Sequence, residues 1–182
     1  MVVDPIGTPG EHLDSAPRWY ACYTRARHEK QTAERLRRRG FESYLPLVRR
    51  TSQWKDRRKV VAWPVFPGYV FARFTVRDVH TVLTTPGVST IIRTNGRPAP
   101  IPDEELESIR TVVRVVEETG TAPVLRPLVT EGDRVVVTSG PFRGVSGYVV
   151  QLRGRCRILV GITSVGQGLE LEVSSGALKR ID

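Results

Sequence analysis

The stretch Val65-Phe66-Pro67-Gly68-Tyr69-Val70-Phe71-Ala72-Arg73-Phe74 decides how the first half of this chain reads. It is the most apolar run in that half. Pro67-Gly68 breaks its start, so the clean strand is 69–74. Period two places Tyr69, Phe71 and Arg73 on one face and Val70, Ala72 and Phe74 on the other. Two aromatics sharing a face with an arginine make an odd core wall and suit a patch that meets a partner helix. The same rings, with Phe66, would also pack beneath a flanking helix.

Working outward, residues 19–24 are aromatic and β-favouring and read as a strand. A helix follows over 28–39, with Ala26, Ala33 and Leu36 on a thin apolar face and Gly40 as its stop. Lys30–Glu34 and Glu34–Arg38 are spaced one turn apart, and Arg37, Arg38 and Arg39 lie at the negative end of the helix dipole. Residues 41–48 read as a second strand and 49–59 as an exposed hairpin or mobile loop. On the other side, Thr75 caps a short helix, with Asp78 three residues on and Val79, Val82 and Leu83 on one face. Pro86-Gly87 ends it. A strand over 88–93, a tight turn at Asn95-Gly96 and a helix over 103–116 complete this half. That helix opens with acidic residues and carries Leu106, Ile109, Val113 and Val116 as its stripe. The order β-α-β-β-α-β with a closing helix predicts an α+β sandwich, an antiparallel sheet with helices on one side.

Residues 1–17 hold three prolines and two glycines without any period, and read as a disordered leader. Residues 117–129, with Gly120, Pro123 and Pro127, read as a linker. From 130 onward every run is short and β-branched: 134–138, 144–152, 157–163 and 169–173 are four strands separated by turn residues. Such a segment hides its faces most economically by closing into a small all-β barrel. The expected division is a leader over 1–17, an α+β domain over 18–116, a linker over 117–129 and a barrel over 130–182.

The net charge is +9, and half of the 28 Lys and Arg residues fall between Arg18 and Lys59, opposed there only by Glu29, Glu34, Glu42 and Asp56. Such a concentration favours contact with polyanions, although a solvated arginine-rich surface has the same composition. Cys22 and Cys156 are far apart and outside any metal-binding spacing, so each reads as a small buried apolar residue. No phosphate loop, nucleophile elbow or metal-ligand spacing is present, and the chain reads as neither an enzyme nor a cofactor binder. With no signal-peptide pattern and no apolar run of about 20 residues, the expectation is a cytoplasmic protein without membrane contact, monomeric by default.

Two groups of motifs carry a family resemblance. Trp19-Tyr20, then Phe66-Pro67-Gly68-Tyr69-Val70-Phe71, Pro86-Gly87-Val88 and Arg97-Pro98-Ala99-Pro100-Ile101 resemble, in order and spacing, the N-terminal domain of the NusG family. Glu131-Gly132-Asp133 through Gly140-Pro141-Phe142-Arg143-Gly144 to Gly147 resembles a KOW motif. Within the family, residues 23–30 and Tyr44-Leu45-Pro46-Leu47 are more similar to the specialised RfaH-like and capsule-operon antiterminators than to the housekeeping factor, which stays open as an alternative.

The resemblance implies a transcription elongation and antitermination factor that raises polymerase processivity. Positions matching Phe66, Tyr69 and Phe71 would contact the clamp helices of the RNA polymerase β′ subunit. Arg25, Arg27, His28 and Lys30 would face the non-template DNA strand, with His80 near the same strand. Pro141, Phe142 and Arg143 lie in the loop region that family members use to bind NusE of the ribosome or termination factor Rho. Phe142 sits between turn residues and reads as an apolar knob. The β-branched runs of the second half predict a stable barrel that does not switch fold. The residues themselves leave two other readings. Residues 68–74 partly mimic the aromatic strand of an RNA-recognition motif, so a ribosome-associated RNA-binding protein fits too, and the charge alone allows a non-specific DNA binder. The basic 49–59 segment around Trp54 suits single-strand binding or a solvated hairpin equally.

Overall fold

The computed structural model of the chain describes residues 16–54, 57–120, 123–128, 132–151 and 156–181, and the side chains of all of these except 50–54, 57–59 and 151. Residues 1–15 of the expected leader lie outside the described residues. The first unit runs β1 (Arg18–Thr24), α1 (Glu29–Arg38), β2 (Glu42–Tyr44), β3 (Leu47–Trp54), β4 (Arg57–Pro64), β5 (Tyr69–Phe74), α2 (Val79–Leu83), β6 (Val88–Ile91), β7 (Arg93–Thr94), β8 (Arg97–Pro98), β9 (Pro100–Ile101) and α3 (Asp103–Thr119). β1 is central: β5 lies antiparallel along one edge, and β6 and β9 share the other. The 49–59 segment is the end of a β3–β4 hairpin, with Trp54 paired to Arg57; the Trp54 side chain lies outside the described ones.

The fold is α+β as expected, but the helices are not on one side. Alternation along β1 and β5 sends Trp19, Ala21 and Phe71 into one cluster with Leu106, Ile109 and Val112 of α3. It sends Tyr20, Cys22, Val70, Ala72 and Phe74 into a second cluster with Ala33 and Leu36 of α1 and Val82 of α2. Both faces of the sheet are therefore covered, because the central strands are apolar in both registers. The strand of the opening stretch has no wet face.

Local signals explain the connections. The Thr75 N–H donates to Asp78 Oδ2 at 3.0 Å, closing the expected cap ahead of α2. Asn95 and Gly96 both adopt positive φ (52° and 78°), the conformation of a two-residue hairpin turn between β7 and β8. Arg38 pairs with Glu34 one turn earlier. The rest of the arginine run does more than face the dipole. Arg39 Nη1 donates to the Thr81 carbonyl at 2.8 Å and Arg35 Nη1 to the Pro86 carbonyl at 3.0 Å, so two of these cations staple α1 to α2 and the turn after it.

α3 is longer than the 103–116 expected and has two buried faces. Leu106, Ile109 and Val116 lie over the sheet side, with Val113 half-buried; Ser108, Val112 and Val115 are buried as well. Arg110 spreads its guanidinium over the rings of Trp19 and Tyr44, at 5.5 and 4.9 Å from their centroids.

The second unit comprises β10 (Val124–Pro127), β11 (Arg134–Val137), β12 (Ser146–Gln151), β13 (Cys156–Ile162), β14 (Gln167–Val173) and β15 (Leu178–Arg180), bonded in the order β10-β14-β13-β12-β11-β15. Its core is Val135, Val137, Val145, Ile158, Val160, Ile162, Leu169 and Leu171. The expected linker is shortened from both ends: 117–119 complete α3, and 124–127 pair with β14 as an edge strand.

Candidate docking and nucleic-acid interface

The two units meet along α3. The Ser146 N–H donates to Ser108 Oγ at 3.1 Å, and Thr163 donates from its N–H and its hydroxyl to the two carboxylate oxygens of Glu105 at 3.0 and 2.6 Å. Arg134 closes an ion pair with Glu104 at 2.7 Å. These contacts place the Ser108 face of α3 against the second sheet, which accounts for the burial of Val112 and Val115 one and two turns on. Phe142 is half-buried against the shared core and lines a small cavity with Val116, Val124 and Leu171, so it is not a free knob. Sequence neighbours could not bury it; a helix 26 positions earlier does. Pro141 and Arg143 beside it are exposed.

The opening stretch divides in the same way. Phe66 and Phe71 are fully buried (0% exposed), meeting edge to face with centroids 5.8 Å apart beneath α3. The expectation that these rings stay wet is overturned, since the apolar stripe of α3 takes the place foreseen for a partner. Tyr69 stands at the boundary. It is half-buried and meets Tyr23 edge to face at 5.3 Å, and Tyr23 is itself 44% exposed. Burial, and then the neighbouring Tyr23, push the Tyr69 phenol above its usual range.

Beside this pair opens a cavity of about 600 Å³ between β4 and the turn from β1 into α1, walled by Tyr23, Arg27, Lys30, Trp63, Pro64 and Pro67 among others. Trp63 is 52% exposed. The wall is held by backbone bonds: the Thr24 N–H donates to the Gly68 carbonyl at 2.8 Å, and the Arg25 N–H to the Gly87 carbonyl at 3.0 Å. Gly68 has φ +84°, and a Cβ there would sit 3.0 Å from the Tyr23 ring, so this glycine lets the ring lie close over the turn. The carboxylate in the wall, Glu29, is buried and accepts the Gly68 N–H at 2.9 Å.

Of the expected nucleic-acid residues, Arg27 and Lys30 line this cavity, and Arg25 lies exposed on the same turn. Arg27 adopts the left-handed conformation (φ 62°), which costs a side-chain-bearing residue about 1 kcal/mol. His28 Nδ1 faces the Ala26 carbonyl at 2.8 Å, and since a carbonyl only accepts, Nδ1 carries the proton. His80 is exposed on α2 and is not among the residues lining the cavity. Sequence reasoning passed over Trp63 and Tyr23 as surface residues. The signal available was the odd-numbered alternation of β1, which carries Tyr23 past the end of the covered sheet. Among the described residues, no group of three or more His, Cys, Asp and Glu is placed to hold a metal ion, and no helix is long and apolar enough to cross a membrane.

An α+β unit fused to a small β unit, with an aromatic and cationic surface at the end of its central strand, has the form of a binding protein. The chain belongs to the NusG family, whose description, transcription termination factor nusG, matches residues 17–110. A transcription termination/antitermination protein NusG of Deinococcus radiodurans is 32% identical over 87% of this chain and 97% of its own length. The Thermus thermophilus protein of the same name is 27% identical over 86% of this chain and 95% of its own length. Among solved structures, one titled "Domain interaction in Thermotoga maritima NusG" is 21% identical, with a TM-score of 0.48, over 91% of this chain and 98% of that one. The chain is thus a NusG-like transcription termination/antitermination factor, and its family consists of transcription factors rather than enzymes.

Proposed function

We propose that the chain acts in the cytoplasm as a monomeric elongation and antitermination factor that docks on the clamp helices of RNA polymerase β′. The observation that carries this is the half-exposed Tyr69–Tyr23 pair at the rim of an apolar cavity, backed by the buried Phe66 and Phe71. In this reading the two phenylalanines act from beneath, fixing the strand that presents Tyr69. Arg25, Arg27, His28 and Lys30 on the adjoining turn would lie toward the non-template strand. The second unit would be a KOW barrel, tethered through the segment after α3, that recruits NusE or Rho through the 141–143 loop; a tether raises the effective concentration of that second contact. Holding the clamp closed across the DNA would suppress pausing.

Residues 23–30 and 44–47 support a specialised, RfaH-like role. The near full-length similarity to relatives named NusG favours the housekeeping role instead. Transcription through a Rho-dependent terminator separates them, with read-through expected of the specialised factor. The docking mode is tested by binding to core polymerase. Tyr69→Ala is expected to weaken it at least tenfold, as loss of an aromatic anchor does, while retaining the wild-type melting behaviour to within about 1 kcal/mol. Unchanged binding by this variant removes the aromatic rim from the mechanism.

A further inference from the structure

The cavity beside Tyr23 is larger than a contact with the Tyr69 rim needs, and its far wall is Trp63. We infer that this groove takes an unpaired nucleobase of a single-stranded nucleic acid, stacked on Trp63, with the flanking phosphates on Arg27 and Lys30. The inference rests on the reading of the β1–α1 turn as a nucleic-acid-facing surface and deepens it by naming the moiety held.

Four observations converge. The volume, about 600 Å³, lies in the range of sites that enclose a small planar group. The indole is half exposed on a strand whose neighbours Val61, Ala62 and Pro64 are partly covered, so a flat apolar face is offered without a protein ring stacked on it among the described residues. The free charge of the wall is cationic. Glu29, its only carboxylate, is buried and bonded to Gly68 N–H, whereas Arg27 and Lys30 stand exposed at the mouth. Finally, Arg27 is held in a strained left-handed conformation, which aims a cation from the turn and is not needed to close a simple loop, where glycine would serve. Aromatic platforms between cations recognise single strands, because every base has a π-face and only an unpaired base can reach it. A duplex would engage the cations but leave Trp63 idle. An acidic peptide would do the same.

The test is an anisotropy titration of the full chain with a labelled single-stranded DNA of about 12 nucleotides, a span covered by known single-strand sites. The same strand built with abasic sites throughout and the corresponding duplex serve as comparators. The expected result is that the abasic strand binds about tenfold more weakly than the normal strand, although its phosphates are unchanged. Trp63→Ala is expected to lose about the same factor on the normal strand and almost nothing further on the abasic one, with Trp63→Phe intermediate. Arg27→Gln and Lys30→Gln should each lower the salt dependence of binding, and Trp63→Ala should leave it unchanged. Equal affinity of the wild-type chain for normal and abasic strands overturns the inference without needing any variant to fold. It is also overturned if Trp63→Ala binds DNA as wild type does while losing core polymerase, which would assign the groove to a protein helix. Neither result depends on Tyr69→Ala, so the docking reading stands or falls separately.

Discussion

Arg27 brings conformation and chemistry into conflict at a single position. A glycine there would relieve the left-handed backbone, so Arg27→Gly is expected to raise the unfolding free energy by about 1 kcal/mol, read from a urea midpoint. It should at the same time weaken single-strand binding, because the cation is gone. A variant that gains stability and keeps its affinity would show that the turn is merely structural. Cys22 is a simpler residue: buried completely and free, its thiol is pushed up to about 12 by burial from the ordinary 9.0. The folded chain holds this proton where the unfolded chain releases it. Below pH 9 both states are protonated and Cys22 adds no pH dependence. Between pH 9 and 12 stability falls, by at most roughly 1 kcal/mol per pH unit. Cys22→Ala should flatten that part of the alkaline decline in urea midpoints, and thiol reagents should reach Cys22 only on unfolding. Its burial was legible from two isolated cysteines without partners. The exposure of Trp63 was not, because an apolar run such as 60–66 does not say which of its residues the fold will leave uncovered.

Among the elements, α3 decides most. Its expected stripe was legible from the spacing of Leu106, Ile109 and Val116. The second stripe, Ser108, Val112 and Val115, stands at helical spacing too, yet Ser108 masks it, since a serine is usually read as a solvated position. In the fold its hydroxyl accepts the Ser146 N–H instead. The two faces predict different failures. Ile109→Ala should destabilise the first unit by about 2–5 kcal/mol through a cavity under the sheet, seen as a lower thermal midpoint. Val112→Asp places a charge against the second sheet, so it should release that sheet while β1 and β5 stay paired. Small-angle scattering would register the release as a larger radius of gyration, and amide exchange would show the first unit still protected. If Val112→Asp leaves the radius unchanged, the contact along α3 is not what joins the units.

Across the whole molecule, charge is distributed unevenly: the +9 net charge is concentrated in the first third of the chain, while the first turn of α3 carries Asp103, Glu104 and Glu105. Part of that excess is consumed inside the fold, by Arg35 and Arg39 on backbone carbonyls and by Arg134 on Glu104. Three cations near the groove, Arg25, Arg27 and Lys30, remain exposed. If they neutralise about three phosphates, the logarithm of single-strand affinity should fall with the logarithm of salt concentration at a slope of about 2. A slope near zero would mean that the basic surface is only a solvated one.

The amino-acid sequence by itself determined the α+β order, the split into a mixed half and an all-β half, the turns at Asn95-Gly96 and Thr75–Asp78, and the family, because these rest on short-range periodicity, capping and motif spacing. Tertiary structure alone decided which aromatic rings are wet. A strand's two faces are chemically equivalent until something packs on one of them. The helix that covers Phe66 and Phe71 lies more than thirty residues further along the chain, at a distance no local pattern records.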